Sequence, residues 1–85
     1  MNTSVNINKE EISLNTLPIG RRCIVKQLKA DGSIRRRMLD LGVIQDTEIE
    51  ALNESPSGNL VAYLIRGAVI AIRSEDAAKI YIETI

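Results

Sequence analysis

The chain has 85 residues, of which 45% are hydrophobic and only 2% aromatic, and its 11 basic and 11 acidic side chains cancel to a formal net charge of zero. That length holds one domain with one small core, which must be built from Ile, Leu, Val and Ala. With no His and a single cysteine, Cys23, the composition excludes a disulfide framework, a Cys/His metal centre and any Ser–His–Asp or Cys–His catalytic arrangement.

Residues 1–11 are polar and aperiodic and are expected to form a flexible N-terminal segment, with the folded domain spanning 12–85. This segment lacks the apolar stretch of a signal peptide, and no apolar run approaches the roughly 18–20 residues that cross a bilayer. A cytoplasmic location without membrane insertion follows as the expectation. Ser13 is placed to cap a short turn carrying Leu14 and Leu17, stopped by Pro18 and Gly20. Cys23 to Leu28 opens with a β-branched run and reads as a strand, and Asp31-Gly32 turns the chain.

Ser33 then reads as the cap of a helix. Ile34, Met38 and Leu41 recur at i, i+4 and i+7, one apolar stripe with Met38 and Leu41 as buried anchors, and Gly42 suits the position just past the helix end. This reading puts Arg35, Arg36 and Arg37 in the first helical turn, where the macrodipole favours acids. It also sets Arg36 four residues before Asp40, as an i,i+4 pair.

After Gly42 the period becomes two. Thr47 to Leu52 alternates, Asn53 to Asn59 is a loop dense in turn formers, and Leu60 to Arg66 and Val69 to Arg73 form a hairpin around Gly67. Ser74 is placed to cap one helical turn, and Ile80 to Ile85 closes as a last strand. About five short strands with one inserted helix and short helical turns predict a mostly-β small barrel. By strand alternation, Val61, Tyr63 and Ile65 face inward, which leaves Leu60, Ala62 and Leu64 facing outward.

The charges are unevenly spread: Arg21 to Arg37 holds seven cations against one anion, while residues 38–85 hold three cations against eight anions. Either these charges mix on a solvated surface, or Arg35 and Arg36 present a basic face to an acidic partner. Paired carboxylates are the one catalytic option left, and so small a domain offers little cleft for them, so no enzymatic activity is expected.

The order of motifs resembles the ferrous iron transport protein A (FeoA) family, whose fold is an SH3-like barrel. The resemblance rests on Leu14, Leu17 and Gly20, on the run Arg37-Met38-Leu39-Asp40-Leu41-Gly42 followed by Val43-Ile44, and on the loop Ser55-Pro56-Ser57-Gly58-Asn59. It continues through the hairpin at Arg66-Gly67, Ala71 to Arg73, and Glu75, Ala77 and Ile80. The chain departs from the family pattern at Gln45-Asp46, where a Pro-Gly-like turn is usual, and in its outward apolar row at Leu60, Ala62 and Leu64. The same module occurs in iron-dependent repressors; without a DNA-binding half in this sequence, a free-standing protein is the expectation.

The resemblance implies a cytosolic accessory that binds the cytoplasmic part of a membrane ferrous-iron transporter, as a monomer or weak homo-oligomer. No cofactor is predicted: ferrous iron enters only through the family, and the sequence assigns no metal ligands, although Asp and Glu leave a hard-cation site open. The expected contact residues are Leu60, Ala62, Leu64, Arg35 and Arg36; Arg37 (pinning the helix to the barrel), Met38, Asp40, Leu41, Gly42 and Gly67 are assigned structural roles. Two other readings remain: a metal-responsive regulatory domain, and a nucleic-acid-binding barrel. The second is disfavoured because single-strand binders stack bases on aromatic platforms, and the chain has two Tyr and no Phe or Trp.

Overall fold

Antiparallel strand pairing organises the fold. The computed structural model describes residues 11–85, so the expected flexible segment 1–11 lies outside the described residues except for Glu11. The strands are β1 (Ile12–Ser13), β2 (Arg22–Leu28), β3 (Glu48–Glu54), β4 (Leu60–Ile65), β5 (Ala68–Arg73) and β6 (Ile80–Thr84). Helix α1 (Gly32–Asp40) is inserted between β2 and β3, and a single turn α2 (Ser74–Ala77) precedes β6. They form one six-stranded sheet in the order β1-β6-β2-β3-β4-β5. Register shifts between Val25 and Gln27 and between Ala51 and Asn53 bend the long strands, as an extra residue on one side of a ladder does. The expected barrel class stands, with a sixth strand added at Ile12–Ser13, too short to give an alternation signal.

The inward positions converge on one core. Cys23 and Val25 from β2, Ile49 and Ala51 from β3, Val61, Tyr63 and Ile65 from β4, Ile72 from β5, and Ile80 and Ile82 from β6 are all buried. Leu14, in a 3-10 turn over Leu14–Thr16, plugs one end. The Tyr63 hydroxyl donates to the Leu14 carbonyl at 3.4 Å, giving the one buried aromatic polar group a partner.

Helix α1 differs from its sequence reading in three ways. It starts earlier than expected: Asp31, not Ser33, occupies the capping position, with no side-chain cap bond. The arginines therefore leave the first turn, and Arg37 falls in the last one, where the macrodipole favours a cation. Second, Met38 alone is fully buried, whereas Ile34 and Leu41 are half-buried against the core. Leu41 is the residue at which the helix ends, so its side chain sits at the rim rather than beneath the helix. Third, Arg36 and Asp40 make no ion pair, and Arg37 is exposed rather than pinning the helix to the barrel. The helix is tied down by Met38 and by Arg35, whose Nη1 donates to the Leu28 carbonyl at 3.3 Å.

The helix exit matches its sequence reading. Gly42 has φ +94°; its N–H donates to the Leu39 carbonyl at 3.0 Å and the Val43 N–H to the Met38 carbonyl at 3.0 Å. These two bonds form a Schellman motif, with Met38 and Val43 supplying its apolar contact. A Cβ at Gly42 would also lie 2.5 Å from Arg66 Cδ, a contact that the exposed arginine side chain can relieve by moving, so it is the backbone that calls for glycine there. The caps assigned to Ser13 and Ser74 are not formed. Instead Thr16 Oγ1 donates to the Ser13 carbonyl at 2.7 Å, and Ser74 Oγ donates to the Gly58 carbonyl at 3.2 Å.

Two turns hold non-glycine residues in the left-handed region: Asp46 at φ +73° and Arg66 at φ +51°, the latter next to Gly67 at φ +84°. The positive angles at Arg66 and Gly67 are those of a type I′ hairpin turn. Asp46 occupies the turn that departs from the family pattern, and the Thr47 N–H closes it onto the Ile44 carbonyl at 3.1 Å. Arginine is a poor residue for that conformation. Arg66→Asn, creating the preferred Asn-Gly pair, is expected to raise stability by about 0.5–1 kcal/mol. The urea midpoint measures it; a lowered midpoint would mean that the Arg66 stem over Gly42 contributes more than the turn strain costs.

Candidate interaction surface

The outward face of β4 and β5 carries an apolar patch built by cross-strand register. Leu60 is opposite Arg73, Ala62 opposite Ala71, and Leu64 opposite Val69; on the other side Glu50 is opposite Leu64 and Asn53 opposite Ala62. Leu60 is 41% exposed and Val69 67% exposed, Ala71 is exposed, and Ala62 and Leu64 are half-buried. The inward partners Val61, Tyr63 and Ile65 are buried, so the alternation read from the sequence has the correct register. Val69 and Ala71 were missed, although the alternation of β5 itself signals them.

At the hairpin end the patch runs into a shallow cleft lined by Leu64, Glu50, Arg66 and the turn Ile44–Thr47. Ile44, 44% exposed, and Gln45 also line a second cleft that reaches Arg35 and Leu39. Arg35 is therefore connected to the Leu64 end of the row through Ile44. Arg36 is exposed and lines neither cleft. Leu60 lies at the opposite end, beside Asn59, Arg73 and Glu75. The five residues named from the sequence thus do not form one contiguous site; Ile44, which follows the helix exit and carried no periodic signal, is what bridges two of them.

Much of the basic segment is spent on the barrel itself. Arg22 pairs with Glu48 at 3.2 Å, and Lys26 lies 3.8 Å from Asp46 and 4.0 Å from Glu83. Lys29 sits 5.3 Å over the Tyr81 ring. These exposed or partly exposed pairs contribute little stability each, but they mix the two charge blocks that the sequence kept apart.

Two core groups, Cys23 and Tyr63, hold their protons unusually tightly. Burial pushes the Cys23 thiol up to about 12, with a backbone hydrogen bond at Ile49 acting the other way and Glu48 adding to the rise. The Tyr63 hydroxyl is also raised to about 12, by burial first and then by Cys23 and Glu54. A thiol so held is neither a nucleophile nor a ready metal ligand at neutral pH. Among the described residues no group of three or more His, Cys, Asp or Glu gathers to hold a metal ion. No helix among them is long and apolar enough to cross a membrane.

Comparison with known proteins places this geometry. A Porphyromonas gingivalis protein named Fe(2+) transport protein A/Fe(2+) transporter FeoB fusion protein is 31% identical over 72 residues, 85% of this chain but 8% of the longer protein. The NMR structure of a FeoA-like protein from Clostridium acetobutylicum superposes with a TM-score of 0.82 at 28% identity, covering 88% of this chain and 87% of that one. The crystal structure of a zinc-complexed Stenotrophomonas maltophilia FeoA, described as a procaryotic SH3 domain protein, shares the fold at 21% identity and a TM-score of 0.75, over 85% of this chain and 89% of that one. The FeoA domain model itself matches residues 12–84. With its SH3-like barrel and that nearly complete match, the chain belongs to the FeoA domain family, a family linked to ferrous iron transport.

Proposed function

We propose that the chain is a cytosolic accessory of ferrous-iron uptake that does no chemistry itself and docks on the cytoplasmic part of a membrane iron transporter. The observation that carries this reading is the fusion: in the Porphyromonas gingivalis relative, transport protein A and the transporter are one polypeptide. A covalent link keeps two modules at high effective concentration. A separate chain needs a docking surface to reach the same proximity. The outward row Leu60, Ala62 and Leu64, widened by Val69, supports that role, because contiguous exposed apolar area marks interfaces. Arg35, reached through Ile44, adds a charge at one end.

The test is capture of the purified full-length FeoB-type transporter from the same genome by the immobilised chain. Leu60→Ser combined with Leu64→Ser is expected to leave stability within about 1 kcal/mol and to weaken capture at least ~10-fold. Arg35→Ala with Arg36→Ala is the control, expected to alter the salt dependence of capture more than its strength. Undiminished capture by the folded double-serine variant would place the contact on another face, and a wild-type chain that captures no transporter would end the docking reading.

A further inference from the structure

The hairpin register leaves β5 with an open side. Ile65 and Ala68 flank a two-residue turn and so exchange backbone hydrogen bonds, as do Tyr63 with Ile70 and Val61 with Ile72. The N–H and C=O groups of Val69 and Ala71 and the N–H of Arg73 therefore point away from β4, while the Arg73 carbonyl caps the start of α2. Among the described residues β5 pairs with no other strand. Natural edge strands are usually guarded by a charge, a proline or a bulge. Here the central residues Val69 to Ile72 are all uncharged, and Arg73 stands only at the end.

We propose that this edge pairs with the same edge of a second copy of the chain, antiparallel about a two-fold axis at Ala71. In that register the two Ala71 residues face each other and exchange both bonds, each Arg73 N–H meets a Val69 carbonyl, and each Val69 N–H meets the second lone pair of an Arg73 carbonyl. The outward rows then extend across the seam. At the axis the row is Asn53, Ala62 and Ala71 meeting its own mirror, small side chains that let the faces meet without a clash. On either side, Glu50, Leu64 and Val69 of one copy continue into Arg73 and Leu60 of the other. Arg73 lies three strand spacings from the opposing Glu50, about 14 Å between backbones, a span the two extended side chains cover along an apolar track. Neither residue has an ion-pair partner among the described residues.

Charge also selects the register. Shifting the axis to Ile70 would set Arg73 opposite Gly67, next to Arg66 of the other copy, bringing like charges together. The net charge of zero removes the general repulsion that keeps many small domains apart. The pairing is argued from backbone register and charge and does not rest on the transporter reading, although its seam borders the same outward row.

Sedimentation equilibrium of the full chain tests the pairing. The weight-average mass is expected to climb from monomer toward dimer between about 1 and 500 μM. Ala71→Pro removes only a donor on the open side, leaving the ladder to β4 intact, and is expected to stay folded and monomeric. Arg73→Glu should weaken dimerisation at least ~10-fold, and Glu50→Arg added to it should restore most of the loss. Amide exchange at Val69, Ala71 and Arg73 should slow as concentration rises. A wild-type chain that stays monomeric throughout overturns the proposal, as does a dimer indifferent to Ala71→Pro and Arg73→Glu. Protection of the three amides already present at the lowest concentration would mean the edge is filled within one chain. Protection appearing only on addition of the transporter would assign the edge to a different strand. Either result overturns the pairing.

Discussion

Met38→Ala is expected to lower the unfolding free energy by about 2–5 kcal/mol, a large share of the stability of a domain this small. Met38 is fully buried and belongs to the core cluster, and it provides both the carbonyl and the apolar contact of the Schellman exit at Gly42. Truncation to alanine keeps the carbonyl but opens a cavity and removes the apolar contact with Val43 that braces the turn before Ile44. Leu41→Ala, by contrast, should cost only about 1 kcal/mol, because Leu41 is half-buried at the rim. Urea unfolding at neutral pH measures both, with equal slopes required before the midpoints are compared. If the two variants lose equal stability, Met38 is not the anchor of α1.

The second large effect is alkaline. Cys23 and Tyr63 both hold their protons in the folded core up to about 12, against roughly 9 and 10 in the unfolded chain. A group whose pKa is raised by folding stabilises the fold fully below its unfolded pKa and loses that contribution as pH rises toward the folded value. Stability should therefore be steady up to about pH 8 and fall by roughly 3 kcal/mol by pH 11. Denaturant midpoints measured from pH 7 to 11 give the profile. Tyr63→Phe should flatten it modestly and Cys23→Ala more strongly, although the latter starts from a lower stability at pH 7 because it leaves a small void. A flat wild-type profile to pH 11 would mean that water reaches the thiol and the phenol without unfolding. The same burial predicts a thiol inert to alkylation in the native state.

Both effects bear on function through rigidity. The outward row is presented by β4, whose inward residues Val61, Tyr63 and Ile65 are locked in the core. The two clefts that meet at Ile44, one reaching Leu64 and the other Arg35, depend on the α1 exit. Loosening either would blur the candidate surface without touching any of the residues proposed to make the contact.

Period-two alternation was enough to determine which face of β4 is buried, because a one-residue slip would have put Val61, Tyr63 and Ile65 in water and Leu60 and Leu64 in the core. The glycines at 42 and 67 were legible for a similar reason: the chain needs positive φ there, and few side chains tolerate it. Composition by itself excluded catalytic triads and Cys/His metal centres. What local pattern could not decide were the contacts made across the fold. The helix begins at Gly32 rather than after Ser33 and spares the arginines the first turn; Leu41 slides to the rim, and Arg35 rather than Arg37 holds the helix to the barrel. Ser74 forgoes its cap because the Gly58 carbonyl, sixteen residues away, comes within reach of its hydroxyl only when the chain has folded. The basic block is dispersed by partners in β3, β6 and the turn before β3, far from it in sequence. The open side of β5 belongs with these, since backbone donors are left unpaired only by the order in which strands assemble, and that order is set by tertiary packing, not by any residue of β5.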